Sequence, residues 1–259
     1  MVDVSVLVPS RHEAGNVAAV VRRVATSMAA TGLDWQLVFI DDSEDETVAV
    51  LDGLAAFVAG VEVIHRPAGA RVGGLGGAVV EGLRATDSRW VVVMDADLQH
   101  PPEVIGCLLT PLAEGTAQVV VASRYCAGGG PDGLDGAWRR AMSRTTRAVA
   151  RLVLPRLRPV ADPLAGFFAF ERDIVDPAQL HPEGFKILLE LLVRGRWVDV
   201  AEVPYTFAAR TDGRSKAGLR EGLRFGRHLA RLWLEAGQAD LSGPGVLPSL
   251  PHPGAAIRA

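Results

Sequence analysis

The chain has 259 residues, 49% of them hydrophobic and 22% charged, and a formal net charge of -3. That is enough apolar material for one sizeable core; the global charge says little about partners, because Lys and Arg gather in two stretches, 137–158 and 210–231, and no nucleic-acid partner is expected. Two cysteines, Cys107 and Cys126, exclude a disulfide framework and point to a reducing compartment. No run approaches the ~20 apolar residues of a membrane span, and the N-terminus shows no signal-peptide pattern. The expected location is therefore cytoplasmic, with any membrane contact peripheral.

Residues 3–8, DVSVLV, predict a first strand running into Pro9, and Val17, Val20, Val21 and Val24 set the helical spacing of the segment that follows. Arg11 and Glu13 then lie at the carboxyl end of that strand. WQLVFI, 35–40, predicts a second strand ending in Asp41 and Asp42, followed by a helix. A strand, an acid at its end and a helix is how α/β folds place a carboxylate on a ribose or base, although Ser43 or Asp45 could simply cap the helix. After a third strand, 61–65, five glycines fall between Gly69 and Gly77. They lack the Lys-Ser/Thr ending of a P-loop, and fit a phosphate-cradling loop or a tightly packed helix start equally.

The stretch WVVVMDADLQHPPE, 90–103, carries the strongest chemical signal. Its apolar run predicts a strand buried on both faces, ending where ligands bind in open α/β sheets. Asp95, Asp97 and Gln99 supply hard oxygen donors suited to Mg²⁺ or Mn²⁺ beside a nucleotide diphosphate. A bare Asp-x-Asp also suits an ordinary turn with solvated aspartates. A helix to Glu114 and a fifth strand, 119–123, ending at Arg124 complete a repeated β-α order, which predicts α/β, a doubly wound, mostly parallel sheet.

From Gly128 the chain turns basic. Residues 138–157 predict a helix with Arg140, Arg144, Arg147 and Arg151 on one face and Met142, Val149, Leu152 and Val153 on another, with no acid between Trp138 and Arg158. DPLAGFFAF, 162–170, reads as a turn and strand, GFKILLELLVRG as a helix carrying Lys186 and Glu190, and VDVAEVPYTF as a strand near the sheet edge. The RTDGRSK segment, 210–216, is a cationic loop. Residues 217–236 predict a last amphipathic helix whose arginines, Arg220 and Arg224 among them, are either solvated or seated on anionic headgroups. The Pro/Gly-rich tail, 237–259, is expected to be disordered.

The ordered set PSRHE, DDSEDET, GLGGAVVEGL, MDADLQHPPE, ASRY, WRRAMSR, DPLAGFFAF, GFKILLELL and EVPYTFAARTDGRSK resembles the family 2 glycosyltransferases of the polyprenol-phosphate hexosyltransferase, dolichol-phosphate mannose synthase, type across about residues 3–232. The resemblance implies a GT-A fold forming one catalytic domain over 1–236, with 138–157 and 217–236 as candidate membrane-interface helices. It implies a nucleotide between Pro9, Arg11 and Glu13 on one side and Ile40 and Asp42 on the other. Asp95, Ala96, Asp97 and Gln99 would surround the diphosphate and its metal, with Asp97 and Gln99 the direct ligands and Asp95 a further candidate. Arg124, Arg139 and Ser143 would meet an acceptor phosphate, and Arg210 and Lys216 would close over the donor. The catalytic assignments are Asp97, Arg124 and Arg210. Arg11 stands where the family often has an aromatic residue, and Gly77 where threonine is usual.

The implied reaction is inverting transfer of a hexose, mannose from GDP-mannose, to a polyprenyl phosphate at an anionic membrane surface, with or without a membrane-protein partner. Such an acceptor needs no general base, because the second pKa of a phosphate monoester is near ~6. The alternatives are a UDP-sugar enzyme acting on polyprenyl phosphate or a small acceptor, and a non-catalytic accessory subunit.

Overall fold

In a computed structural model the described residues are 2–130, 137–184, 186–207 and 219–236, without the side chains of 137–140, 219–224 and 236. They hold a seven-stranded sheet in the order β3-β2-β1-β4-β6-β5-β7. Its strands are β1 (Val4–Ser10), β2 (Trp35–Asp41), β3 (Val61–His65), β4 (Trp90–Val93), β5 (Val119–Ser123), β6 (Phe168–Glu171) and β7 (Val200–Pro204). All pairings are parallel except those of β6, which runs antiparallel to both β4 and β5.

Helices cover both faces, which is why the central strands read as unbroken apolar runs. On one face Val4, Val6, Val8, Leu37, Phe39 and Val92 pack with α1 (Val17–Ala29), α2 (Thr47–Phe57) and α4 (Ile105–Ala113). On the other, Leu7, Val38, Val91, Val93, Phe168 and Phe170 pack with α3 (Gly74–Ala85), α5 (Ala137–Val153) and α6 (Ile187–Arg194). Burial of Val17, Val20, Val21, Val24 and Met28 on α1 follows the valine spacing.

Two helices carry apolar side chains on their outer faces. In α5, Met142, Val149 and Leu152 face outward, with Leu152 75% exposed. Arg147 turns inward to donate to the Ala161 carbonyl at 2.9 Å, and Arg151 to that of Arg158. The last helix, α7 (Leu219–Ala236), buries Leu229 and Leu232 but leaves Trp233 and Leu234 exposed. It is fastened by Glu190 of α6, wholly buried, which accepts from His228 Nε2 at 2.8 Å, Arg231 Nη2 at 2.8 Å and Arg194 Nε at 2.5 Å. Burial works to raise the Glu190 pKa, but those bonds and the charge of Arg194 hold it down at about 2.

Candidate active site

The parallel register brings three strand ends side by side. Pro9 pairs with Ile40, Ser10 with Asp41, and Leu7 with Val93, so the loops after β1, β2 and β4 open on one edge. Asp41 is fully buried and organises the first two. It accepts from Ser10 Oγ at 2.8 Å and from Ser43 Oγ at 2.6 Å, while the His12 amide donates to Ser43 Oγ at 2.8 Å and the Glu13 amide to Thr47 Oγ1 at 3.1 Å. Arg11 is exposed beside them, and Asp42 is buried beneath the rim.

Beyond β4 the chain makes a tight turn. Asp97 Oδ1 accepts from the Gln99 amide at 3.1 Å, and Leu98 between them has φ 61°, a left-handed conformation costly for a side-chain-bearing residue. Ala96, Asp97 and Gln99 are buried, and the Asp95 side chain is 35% exposed. His100 Nδ1 accepts from the Asp95 amide at 3.0 Å, which fixes the proton on Nε2. Its ring stacks on Phe167 at 5.3 Å, and burial pushes its pKa down to about 4, so it is a neutral prop.

Because β6 is reversed, the segment leading into it, 162–167, arrives at this same edge. Asp162 there takes Arg124 bidentately, Nε at 2.8 Å and Nη2 at 3.0 Å. Burial works to discharge the guanidinium, and the Asp162 charge more than reverses that. Asp162 is itself aimed by Glu202 of β7, which accepts from the Ala161 and Asp162 amides at 2.8 and 3.0 Å. Lys186, just before α6, donates to the Leu164 carbonyl at 2.9 Å. Loss of hydration, helped by Arg124 and opposed by Asp162 and Asp95, lowers its pKa to about 8. The Ser143 hydroxyl on α5 lies 2.8 Å from that of Tyr125, over whose ring Arg124 sits at 5.5 Å.

The expected residues Pro9, Arg11, Glu13, Ile40, Asp42, Asp95, Ala96, Asp97, Gln99, Arg124 and Ser143 therefore all belong to elements that meet this edge or, for Ser143, reach it through Tyr125. Arg210 and Lys216 lie outside the described residues, as do the side chains of Arg139, Arg220 and Arg224 and the tail expected to be disordered. Among the described residues no three His, Cys, Asp or Glu side chains form a metal cage. Two carboxylates and a carboxamide in one tight turn still suit a hard cation that fills its other positions with phosphate and water.

The glycosyl transferase family 2 profile matches residues 5–176. The chain belongs to glycosyl transferase family 2. This family 2 chain is 36% identical over 238 residues to the dolichol-phosphate mannosyltransferase of Pyrococcus furiosus, covering 92% of itself but 65% of that relative. To the Saccharomyces cerevisiae protein of the same name it is 33% identical over 243 residues, covering 90% of itself and 88% of that relative. Its fold matches the crystal structure of mannosyl-3-phosphoglycerate synthase from Rubrobacter xylanophilus with TM-score 0.67 at 21% identity, over 92% of this chain and 76% of that one. The expected GT-A glycosyltransferase fold is thereby borne out.

The sequence pattern assigns no partner to three residues that the geometry brings to this edge: Lys186 reads as a charge on a helix, Asp162 as the start of a turn and Glu202 as part of a strand. The acid in the apolar run VAEVP was the available signal for Glu202, since a carboxylate inside a buried strand needs donors.

Proposed function

We propose that this chain transfers mannose from GDP-mannose to a polyprenyl phosphate, inverting the anomeric centre, as the names of its two relatives suggest. The observation that carries the reading is the meeting of the acidic Asp95–Gln99 turn with the cations Arg124 and Lys186 at one sheet edge, where the charges of Asp95 and Arg124 both act on the Lys186 ammonium. Two anions must react there: the acids can hold a divalent cation against the diphosphate, while the cations attract the acceptor phosphate.

In this reading Pro9, Arg11, Glu13, Ile40 and Asp42 receive the nucleoside, and Asp95 and Ala96 border the diphosphate. Asp97 and Gln99, with Asp95 behind them, would hold Mg²⁺ or Mn²⁺, which supplies charge neutralisation for the departing diphosphate. The acceptor is already largely dianionic at neutral pH, so the protein orients rather than deprotonates it. Asp162 occupies two of the five N–H groups of Arg124 and leaves the others for the acceptor phosphate. Ser143 and Arg139 assist there, Lys186 adds a second positive charge, and Arg210 and Lys216 close over the donor.

The acceptor also calls for a membrane. No helix among the described residues is long and apolar enough to cross one. The outward Met142, Val149 and Leu152 of α5, together with Trp233 and Leu234 of α7, give a basic pair of helices an apolar surface for the anionic cytoplasmic leaflet. Replacing Leu152 and Trp233 with Glu should abolish flotation with liposomes containing phosphatidylglycerol. Unchanged flotation would leave both helices purely structural.

The test of the reaction is incubation with radiolabelled GDP-mannose, Mn²⁺ and a short polyprenyl phosphate, followed by organic extraction. Label should enter the organic phase and stay aqueous with EDTA. Transfer from UDP-glucose alone would move the donor assignment, and no transfer from either would remove the lipid acceptor.

A further inference from the structure

The loop after β3 is bound to the loop after β2 by two arginines. Arg66, 4% exposed, donates from Nε to Asp42 Oδ1 at 2.8 Å and from Nη2 to Asp42 Oδ2 at 2.6 Å. The same guanidinium donates to the carbonyls of Gly74 at 2.9 Å and Val72 at 3.4 Å, in the glycine turn that opens α3. Arg71 completes the seam, with Nη1 to Glu44 at 2.7 Å, Nη2 to the Ser43 carbonyl at 3.1 Å and Nε to the Arg66 carbonyl at 3.0 Å. Gly77 lets the turn lie this close: a Cβ there would stand 1.9 Å from the Val72 carbonyl oxygen and 3.3 Å from Arg66 Nη1.

A buried ion pair of this kind is a poor source of stability, since desolvating both charges offsets their attraction. It does something else well. A carboxylate that has given one acceptor site on each oxygen to a guanidinium keeps further lone pairs for N–H or O–H donors. Its charge is also matched, so it can stand near a diphosphate without the repulsion that a bare carboxylate would bring.

We infer that Arg66 is a positioning residue for nucleoside recognition: it aims Asp42 as a charge-compensated acceptor for the base or ribose of the donor, and with Gly77 fixes the 66–74 turn as the wall of that subsite. This rests on the crevice being a nucleotide-sugar site, as proposed above.

The experiment is calorimetric titration of GDP with Mn²⁺, paired with steady-state kinetics, on the wild type, Arg66→Met, Arg66→Lys and Gly77→Ala. Arg66→Met should weaken GDP about tenfold or more, the scale of a charge-assisted hydrogen bond, and raise KM for GDP-mannose in parallel while kcat stays within about threefold. Arg66→Lys should recover part of the loss. Gly77→Ala, which must displace the Val72 carbonyl, should move GDP affinity in the same direction. Inorganic pyrophosphate, which lacks the nucleoside, should bind all four proteins alike. If Arg66→Met does not fold, Arg66→Lys and Gly77→Ala decide. Folded variants that bind GDP as the wild type does overturn the inference alone, and so does an equal loss of pyrophosphate binding. A wild type that binds neither GDP nor UDP overturns the proposed function and this inference with it.

Discussion

On the two sides of β6 the sheet edge is built in contrasting ways. Toward β1 and β2, fixed acids are held from the adjacent parallel strand or from two residues away: Asp41 by Ser10 of β1 and by Ser43, Asp97 by the Gln99 amide. Toward β5 and β7, a cation is held by acids that come from far along the chain: Arg124 by Asp162, and the Asp162 amide by Glu202. Loops between adjacent parallel strands can settle the first arrangement as those strands pair. The second exists only when β5, β6 and β7 are all in place, so on that side function and stability are coupled.

The sharpest break between the halves is expected at Asp97. Asp97→Ala should lower transfer by at least ~10²-fold with little change in Tm, because the site loses an oxygen donor while the core is untouched. Retained turnover in a well-folded variant would remove the metal assignment. Asp162→Ala should do both kinds of damage. It leaves Arg124 buried without its partner, costing about 3 kcal/mol of stability as well as turnover. A variant that lost activity at unchanged Tm would erase the distinction between the halves.

The smallest effect should be seen in acid unfolding. The Glu190 carboxylate sits at about 2 in the folded chain, below its ordinary 4.5, so as pH falls the unfolded state takes the proton first. Its contribution to stability is whole above about 4.5 and disappears between there and about 2. Glu190→Gln should flatten the fall in stability across that window, followed by circular dichroism. An identical acid profile would mean that the α6–α7 fastening has no weight.

Much of the β1–β2–β4 side was legible because its signals are local. Buried runs such as WQLVFI and WVVVM mark strands, and an acid following each marks the ligand edge. The β5–β7 side hid its logic in topology. The apolar run FFAF is the same whichever way the strand points, so the reversal of β6 left no local trace, and without it Asp162 could not be assigned to Arg124. Likewise nothing near Arg66 names Asp42, 24 residues earlier, as its partner. On α5 the helical spacing located the apolar stripe but not its direction, because amphipathicity alone does not say which face the protein covers.

The reversed strand has a consequence for synthesis. Among the described residues β6 alone joins the β3-β2-β1-β4 set to the β5-β7 pair, and it follows β5 by roughly 45 residues. At ~5–20 residues per second, a nascent chain waits a few seconds with the inner edges of β4 and β5 unpaired. Those edges are the ones that could pair with another chain. A ribosome stalled between Ser123 and Phe168 would therefore hold the β3-β2-β1-β4 sheet with its β4 edge open and β5 with neither of its neighbours, since β7 also follows β6, and that interval is where a chaperone would matter most for this protein.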